Sequence, residues 1–372
     1  MTITMEEYRT RIIGRARAER RPLTCLFELT PTCNLRCHFC YVALDPYKGP
    51  YLSTAQVCHV LDILERAGIL WLTLTGGEIL SRRDFPEIYR YAKSKGFLVT
   101  LFTNGTMMNE RTAALLRENP PFSVEVSIYG ADAAHYESTT GIPGSFARFE
   151  RGVRLLMDAG VPLLLKCPIS TFNEDHLTEL VEYAHSRDLP FRFDPAIDPR
   201  HDGGQQPTLY RISAKKAIEA QRTLNALKSQ VQGSGPLEEC GIKPPPGQGS
   251  GDLYQCGAGR TAMFVDALGQ ASHCVIDRDP MFPILEMEWG QIWDAIGEWV
   301  TQPLPTDAPC SGCDLRAGCH NCPARSRLAT GSPYLKDTYR CDMTHEKFGL
   351  PPLEHPADHY RGRVRQLAAC AR

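Results

Sequence analysis

The 372-residue chain has no apolar run near the ~18 residues that a membrane helix needs, and its opening stretch, MTITMEEYRTRIIGRARAERRPL, carries charge throughout where a secretion signal would be apolar. No membrane span or export signal is expected, and the sequence reads as cytoplasmic. An excess of basic charge is missing as well. Lys plus Arg total 41 against 43 for Asp plus Glu, so nothing in the balance favours nucleic acid as a partner. No internal repeat is visible, which argues against a repeat array.

What is present is a globular composition, 42% hydrophobic and 23% charged, in a chain long enough for one large domain and a smaller one. It also contains 15 cysteines. Without a secretion signal these point to metal ligation rather than to a disulfide framework.

Short β-rich runs alternate with segments of helical period, the pattern of a parallel sheet with crossover helices. Strands are expected at 25–30, 71–75, 98–103, 123–128, 163–169 and 191–194, with helices at 53–67, 84–95, 110–118, 145–159 and 175–187. Six such units make an α/β fold, an open (β/α)6 partial barrel, whose reactive groups belong at the C-terminal ends of the strands. A further helix is expected at 213–230, followed by GSGPLEECGIKPPPGQGSG, a connector rich in Gly, Pro and Ser. The resulting division is an N-terminal extension (1–22), the barrel (23–232), the connector (233–255), a cysteine-dense unit (256–345) and a helical tail (346–372). The cysteine-dense unit shows one hairpin, 262–266 with 271–274, and a helix near 292–300, so its stability should depend on metal.

Directly after the first strand, PTCNLRCHFCY places Cys33, Cys37 and Cys40 on one loop. Roughly 0.02 triplets of this spacing are expected by chance at this cysteine content. A [4Fe-4S] cube takes four thiolates, so three leave one iron open to a substrate or cofactor. A structural zinc would need a fourth local ligand, for which His38 is the nearby candidate. The C-x3-C-x2-C spacing, with Phe39 at the aromatic position and Tyr41 following, resembles the signature of the radical S-adenosylmethionine (SAM) superfamily. The resemblance implies that the open iron is chelated by the amino and carboxylate groups of SAM, whose reductive cleavage yields a 5'-deoxyadenosyl radical.

Other positions extend the likeness. Gly76-Gly77-Glu78 ends the second strand and resembles the family's GGE motif, with backbone carbonyls and a carboxylate free to accept from the cofactor's ammonium group. Asn104 and Ser127, at the ends of the third and fourth strands, resemble residues lining the cofactor pocket, Ser127 reaching a ribose hydroxyl; the alternative is an ordinary strand-end turn. Arg148 resembles an arginine that pairs with the cofactor carboxylate; the alternative is an ordinary solvated arginine. Lys166 is expected to face the barrel interior, toward cofactor or substrate, and Cys167 to be a small core residue.

In the C-terminal part, Cys256, Cys274, the quartet Cys310, Cys313, Cys319 and Cys322, and Cys341 closely resemble the SPASM extension of these enzymes, which holds two auxiliary [4Fe-4S] clusters. The last spacing within the quartet is two residues where the family more often has three. By this resemblance Cys310, Cys313, Cys319 and Cys341 hold the distal cluster, and Cys256, Cys274 and Cys322 the proximal one, with Cys240 or a substrate as its fourth ligand. Three [4Fe-4S] clusters and SAM are thus the implied cofactors.

SPASM-bearing enzymes mostly act on peptides, which makes maturation of a ribosomally made precursor peptide the first expectation, by crosslink, oxidation or epimerisation. About 20 residues precede the first strand, too few for a fused recognition domain, so a separate leader-binding protein is an expected partner, along with a reductant such as flavodoxin or ferredoxin. Dehydrogenation of a small molecule is the alternative, and a non-catalytic iron-sulfur or zinc protein the third reading. The modified residue, the bond formed and the oligomeric state are not written in the sequence, nor is whether Asp266 or Tyr129 acts as acid or base.

Overall fold

A computed structural model of the chain describes residues 4–42, 50–231, 251–316, 318–319 and 322–353. Cys240, most of the expected connector, and the tail from residue 354 lie outside the described residues. The chain opens with helix α1 (Met5–Ala18) and then alternates strand and helix: β1 (Thr24–Glu28), α2 (Thr54–Arg66), β2 (Trp71–Thr75), α3 (Phe85–Ser94), β3 (Leu98–Thr103), α4 (Glu110–Glu118) and β4 (Ser123–Ser127). Two helices, α5 (Ala133–Thr140) and α6 (Ser145–Asp158), lead to β5 (Leu163–Pro168), α7 (Leu177–His185), β6 (Phe191–Asp194) and α8 (Ala214–Val231). The C-terminal part has β7 (Ala262–Val265), β8 (Gln270–Ser272), β9 (Phe282–Pro283), α9 (Trp289–Val300), α10 (Pro323–Thr330) and α11 (Thr338–Phe348).

Helix ends follow their local chemistry. At the start of α2 the Ser53 hydroxyl accepts from Gln56 N at 3.3 Å while the Gln56 side chain accepts from Ser53 N at 2.9 Å, a reciprocal cap. Asn109 caps α4 through Thr112 N at 3.0 Å, and Asp132 caps α5 through His135 N at 3.0 Å. Helix α5 was not expected from periodicity, because AAHYESTT carries no apolar stripe. Its readable signals were the Asp132 cap and Gly141, which ends it at φ 67°.

Strands β1 to β6 are parallel and lie in the order β6-β5-β4-β3-β2-β1, an open sheet in which β6 and β1 are not neighbours. Their side chains alternate between two different faces. Phe27, Leu72, Leu74, Val99, Leu101, Val124, Val126 and Leu165 point to the helices and are fully buried. Each such side chain contributes about 1.5–3 kcal/mol. On the other face Leu26, Thr73, Phe102, Ser127, Lys166 and Arg192 are only half-buried. That face turns away from the helices and carries the polar side chains of β4 to β6.

The hairpin expected within a separate small unit is part of the same sheet. Strand β7 pairs in parallel with β1, in the register Cys25↔Met263 and Phe27↔Val265, and β8 and β9 extend it as antiparallel strands. The pairing covers the edge that β1 would otherwise present, a long-range contact that no local signal announces. The N-terminal extension is also anchored to this part. Arg17 donates to Gln255 O at 2.6 Å and Cys256 O at 3.0 Å, while Arg20 donates to Trp293 O and Trp293 Nε1 to Arg20 O, both at 2.6 Å. No helix among the described residues is long and apolar enough to cross a membrane.

Candidate functional site

The loop carrying Cys33, Cys37 and Cys40 follows β1 at the C-terminal edge of the sheet and is held from three sides. Arg36 N donates to Thr140 O at 2.9 Å and His38 N to Thr139 O at 3.3 Å, which ties the loop to the end of α5. Gly77 N donates to Thr30 O at 2.6 Å and Glu78 N to Thr32 O at 2.8 Å, which ties it to the end of β2. Here the glycines are obligatory. Gly76 has φ 147°, and a Cβ on it would lie 2.2 Å from Thr30 O; one on Gly77 would lie 2.4 Å from both Pro31 O and Thr32 O.

Glu78 departs from the expectation that its carboxylate is free. It is fully buried and accepts from Thr103 Oγ1 at 2.7 Å, Asn104 N at 2.7 Å and Leu80 N at 3.1 Å. Burial pushes its carboxyl up, against the pull of those three bonds. Its work is to join the ends of β2 and β3, which leaves the carbonyls of the Gly-Gly pair as acceptors.

Asn104 joins the loop as well. Its Nδ2 donates to Asn34 Oδ1 at 3.0 Å and approaches Cys33 Sγ at 3.7 Å, its Oδ1 accepts from Thr106 Oγ1 at 2.7 Å, and Asn34 Nδ2 donates to that hydroxyl at 2.7 Å. Asn34 and Thr106 were not singled out in the sequence; polar residues flanking a cysteine and a strand end are the signal that could have found them. A cavity of about 430 Å³ opens beside residues 31–36 and Ile142.

Tyr129, two residues beyond Ser127, is buried with its phenol close enough to Ser127 and Cys37 for each to act on it electrostatically. Phe39 is buried, with its ring 5.8 Å edge-on to Tyr129, and Tyr41 packs on His201 at 4.7 Å. Lys166 does face the interior, with Nζ 3.0 Å from the centre of the Phe102 ring. Cys167 is buried against Asn173 Nδ2 at 3.4 Å, a core position. Arg148 is exposed on α6 and is not gathered with these residues, because the half of α6 that faces the sheet is occupied by Phe149, Val153 and Leu156. Asp266 accepts from Leu268 N at 2.9 Å and Gln270 N at 2.8 Å, so it organises the β7–β8 turn.

The C-terminal thiols fall into two sets. Cys256, Cys274 and Cys322 act on one another's charge, as do Cys310, Cys313, Cys319 and Cys341. Cys33, Cys37 and Cys40 form a third such set. Burial pushes the Cys33 thiol up to about 11 and those of Cys274 and Cys341 up to about 12, so each keeps its proton unless a metal displaces it. Ready donors already aim at the sulfurs: Leu35 N at Cys33 Sγ (3.4 Å), Ile276 N at Cys274 Sγ (3.4 Å) and Thr344 Oγ1 at Cys319 Sγ (3.1 Å).

Among the described residues no three Cys, His, Asp or Glu side chains converge as a single ion requires. An iron-sulfur cube takes one thiolate on each iron and so asks for spread donors, whereas zinc asks for four at one centre. His38, the candidate zinc ligand, stacks on Phe172 at 5.4 Å and Tyr210 at 5.5 Å instead. The donor sets, all thiols with no histidine among them, have the chemistry of iron-sulfur ligands.

Glu28, at the end of β1, pairs with Arg278 at 3.1 Å, joining the first loop's strand to the segment after Cys274. Arg325, three residues after Cys322, holds Asp198 at 2.8 and 3.0 Å across the other end of the sheet. Neither pair is legible in sequence, since the partners lie far apart along the chain.

Residues 27–184 match the radical SAM superfamily. The chain is 26% identical over 340 residues to the AdoMet-dependent heme synthase of Methanosarcina barkeri, an alignment covering 86% of this chain and 96% of that protein. It is 26% identical over 355 residues to the mycofactocin maturase MftC of Mycolicibacterium smegmatis, covering 92% and 89%. The fold is similar to that of Streptococcus suis SuiB bound to its precursor peptide SuiA, with a TM-score of 0.68 at 15% identity over 88% of this chain and 79% of SuiB. With the thiol loop on the C-terminal edge of an open parallel sheet, residues 27–184 carry a radical SAM domain, and that superfamily implies S-adenosylmethionine and a [4Fe-4S] cluster as cofactors.

Proposed function

We propose that this enzyme modifies a peptide made on the ribosome, using a cluster held by Cys33, Cys37 and Cys40 and two auxiliary clusters held by the C-terminal thiols. The observation that carries the reading is the division of ten cysteines into three mutually interacting sets around one sheet. Bound SAM and cluster would supply a 5'-deoxyadenosyl radical that takes a hydrogen atom from the substrate. The protein's part is positional. The Gly76-Gly77 carbonyls receive the cofactor's ammonium, Ser127 its ribose, and Phe39 closes the loop against the core. The half-buried inner face of the sheet takes the substrate and limits access of water.

Cys310, Cys313, Cys319 and Cys341 are assigned to the distal auxiliary cluster. Cys256, Cys274 and Cys322 are assigned to the proximal one, with Cys240 as its fourth ligand. The maturase among the relatives supports a peptide substrate; flavodoxin or ferredoxin as reductant, and a separate leader-binding protein, complete the proposal. A small-molecule substrate is the second reading, favoured by the heme synthase, whose length the chain covers almost entirely.

The test is anaerobic. The protein is reconstituted with iron and sulfide, reduced, and given SAM, with and without small peptides encoded beside its gene. About twelve irons per chain, 5'-deoxyadenosine and a mass change on one peptide are expected. Deoxyadenosine with every such peptide unchanged, and turnover of a metabolite instead, would establish the second reading.

A further inference from the structure

The inner face of the sheet carries charge in a specific imbalance. Register places Ser127 on β4, Lys166 on β5 and Arg192 on β6 in one row, with Phe102, Glu125 and Leu164 in the row below. Glu125 Oε2 is 2.7 Å from Arg192 Nη2 and 3.8 Å from Lys166 Nζ, so one carboxylate serves two cations. The longer distance exceeds a hydrogen bond, and the ammonium rests on the Phe102 ring. Exposure separates the signs: the Lys166 and Arg192 side chains keep 20% and 31% of their surface, and Glu125 only 8%. This row offers two cations to a ligand; Asp194, two residues further along β6 on the same face, is exposed and lies 3.9 Å from Arg325.

We infer that Lys166 and Arg192 form a carboxylate-receiving pair on the inner wall, and that the molecule this enzyme modifies presents a carboxylate there, for a peptide an Asp or Glu side chain or a C-terminus. The inference rests on the reading of the inner face as the substrate chamber. Two neighbouring donors on a rigid sheet match the two oxygens of a carboxylate, Arg192 as a planar fork and Lys166 as a compact charge. The state of Lys166 agrees. Burial, with the Arg192 charge adding to it, brings its ammonium down to about 7, while Glu125 and Glu78 pull the other way. The countercharge this site lacks is what a bound carboxylate supplies. The cationic form exists below that value, so carboxylate binding should be strongest there and weaken as pH rises through it.

The cofactor also carries a carboxylate, and the experiment separates the two sources. The probes are acetyl-Gly-Gly-Glu-Gly-Gly-amide and its Gln twin, titrated calorimetrically into reconstituted enzyme with SAM bound, at about pH 6 and about pH 8.5, on either side of the Lys166 value. About tenfold tighter binding of the Glu peptide at the lower pH, shrinking at the higher, is expected. Lys166→Met should lose most of that preference, while Lys166→Arg should keep it and lose its pH dependence, which separates charge from folding. Equal binding of the two peptides to the wild type overturns the inference, and so does a preference that grows with pH, the mark of a neutral amine acting as a base. If Lys166→Met instead weakens SAM and spares the peptide preference, the pair belongs to the cofactor and the substrate assignment fails. Deoxyadenosine formation by the wild type is scored separately, so failure of the underlying reading is told apart from failure of this one.

Discussion

The two cysteine-bearing parts of this protein are built on opposite terms. The first loop hangs on a regular β/α core and is fixed by the glycines at 76 and 77, the buried Glu78, and the Asn34–Asn104–Thr106 network, so its geometry exists before any metal arrives. Among the described residues the C-terminal part has a small core of its own, Leu253, Tyr254, Ala258, Val300 and Ala324, and those described between α9 and α10 lie mostly in turns. On the proposed reading, metal would be a reagent in the first part and a scaffold in the second.

The largest expected effect breaks the first part alone. Cys37→Ala should abolish deoxyadenosine formation while about eight of twelve irons remain, because the two C-terminal sets share no ligand with the loop. Iron falling to zero would mean the parts assemble as one. The next prediction inverts the experiment. Without iron, amide exchange should rise steeply across 302–322 and little across β1 to β4, since thiols pushed up by burial do not hold a fold together as thiolates do on a metal. Equal protection in both parts would show that the C-terminal core suffices alone.

A third prediction sharpens the claim of preorganisation. Gly77→Ala drives a Cβ into two backbone carbonyls at 2.4 Å and should destabilise the metal-free barrel by about 3 kcal/mol in denaturant unfolding. Glu78→Gln keeps the shape but replaces one carboxylate oxygen with an NH2 group, which cannot accept, so either the Asn104 bond or the Thr103 and Leu80 bonds are lost, which should cost about 2 kcal/mol. A change below about 0.5 kcal/mol in Glu78→Gln would show that the loop is held by the glycine contacts alone.

How legible each part was follows from the same contrast. In the barrel, β2, β3, β6 and α4 lie where periodicity puts them, because each alternates or repeats over a face that must be buried. The inward polar residues of β4 to β6 were visible too, though as isolated polar letters; only register turns Ser127, Lys166 and Arg192 into a row. In the C-terminal part the cysteine spacing was readable and the architecture was not. Helices α10 and α11 lack an apolar stripe, and β7 finds its partner in β1 more than 230 residues away. Glu78 shows the limit within the site: a motif gives the residue, while the three donors that claim its carboxylate come from the folded neighbourhood.

The smallest effect is expected at Arg148, where sequence resemblance and structure part. Resemblance assigns it to the cofactor's carboxylate, yet it stands exposed on α6, and the buried residues of that helix, Phe149 and Val153, face the sheet. An exposed arginine without a fixed partner contributes little, so Arg148→Ala should shift stability by less than about 0.5 kcal/mol. By the same logic its affinity for SAM, read by calorimetry on the reconstituted enzyme, should change by less than about twofold, an energy below about 0.5 kcal/mol. A tenfold loss of SAM affinity with unchanged stability would mean that α6 or the guanidinium swings to the cofactor on binding, and that the first part is less preorganised than its hydrogen bonds indicate.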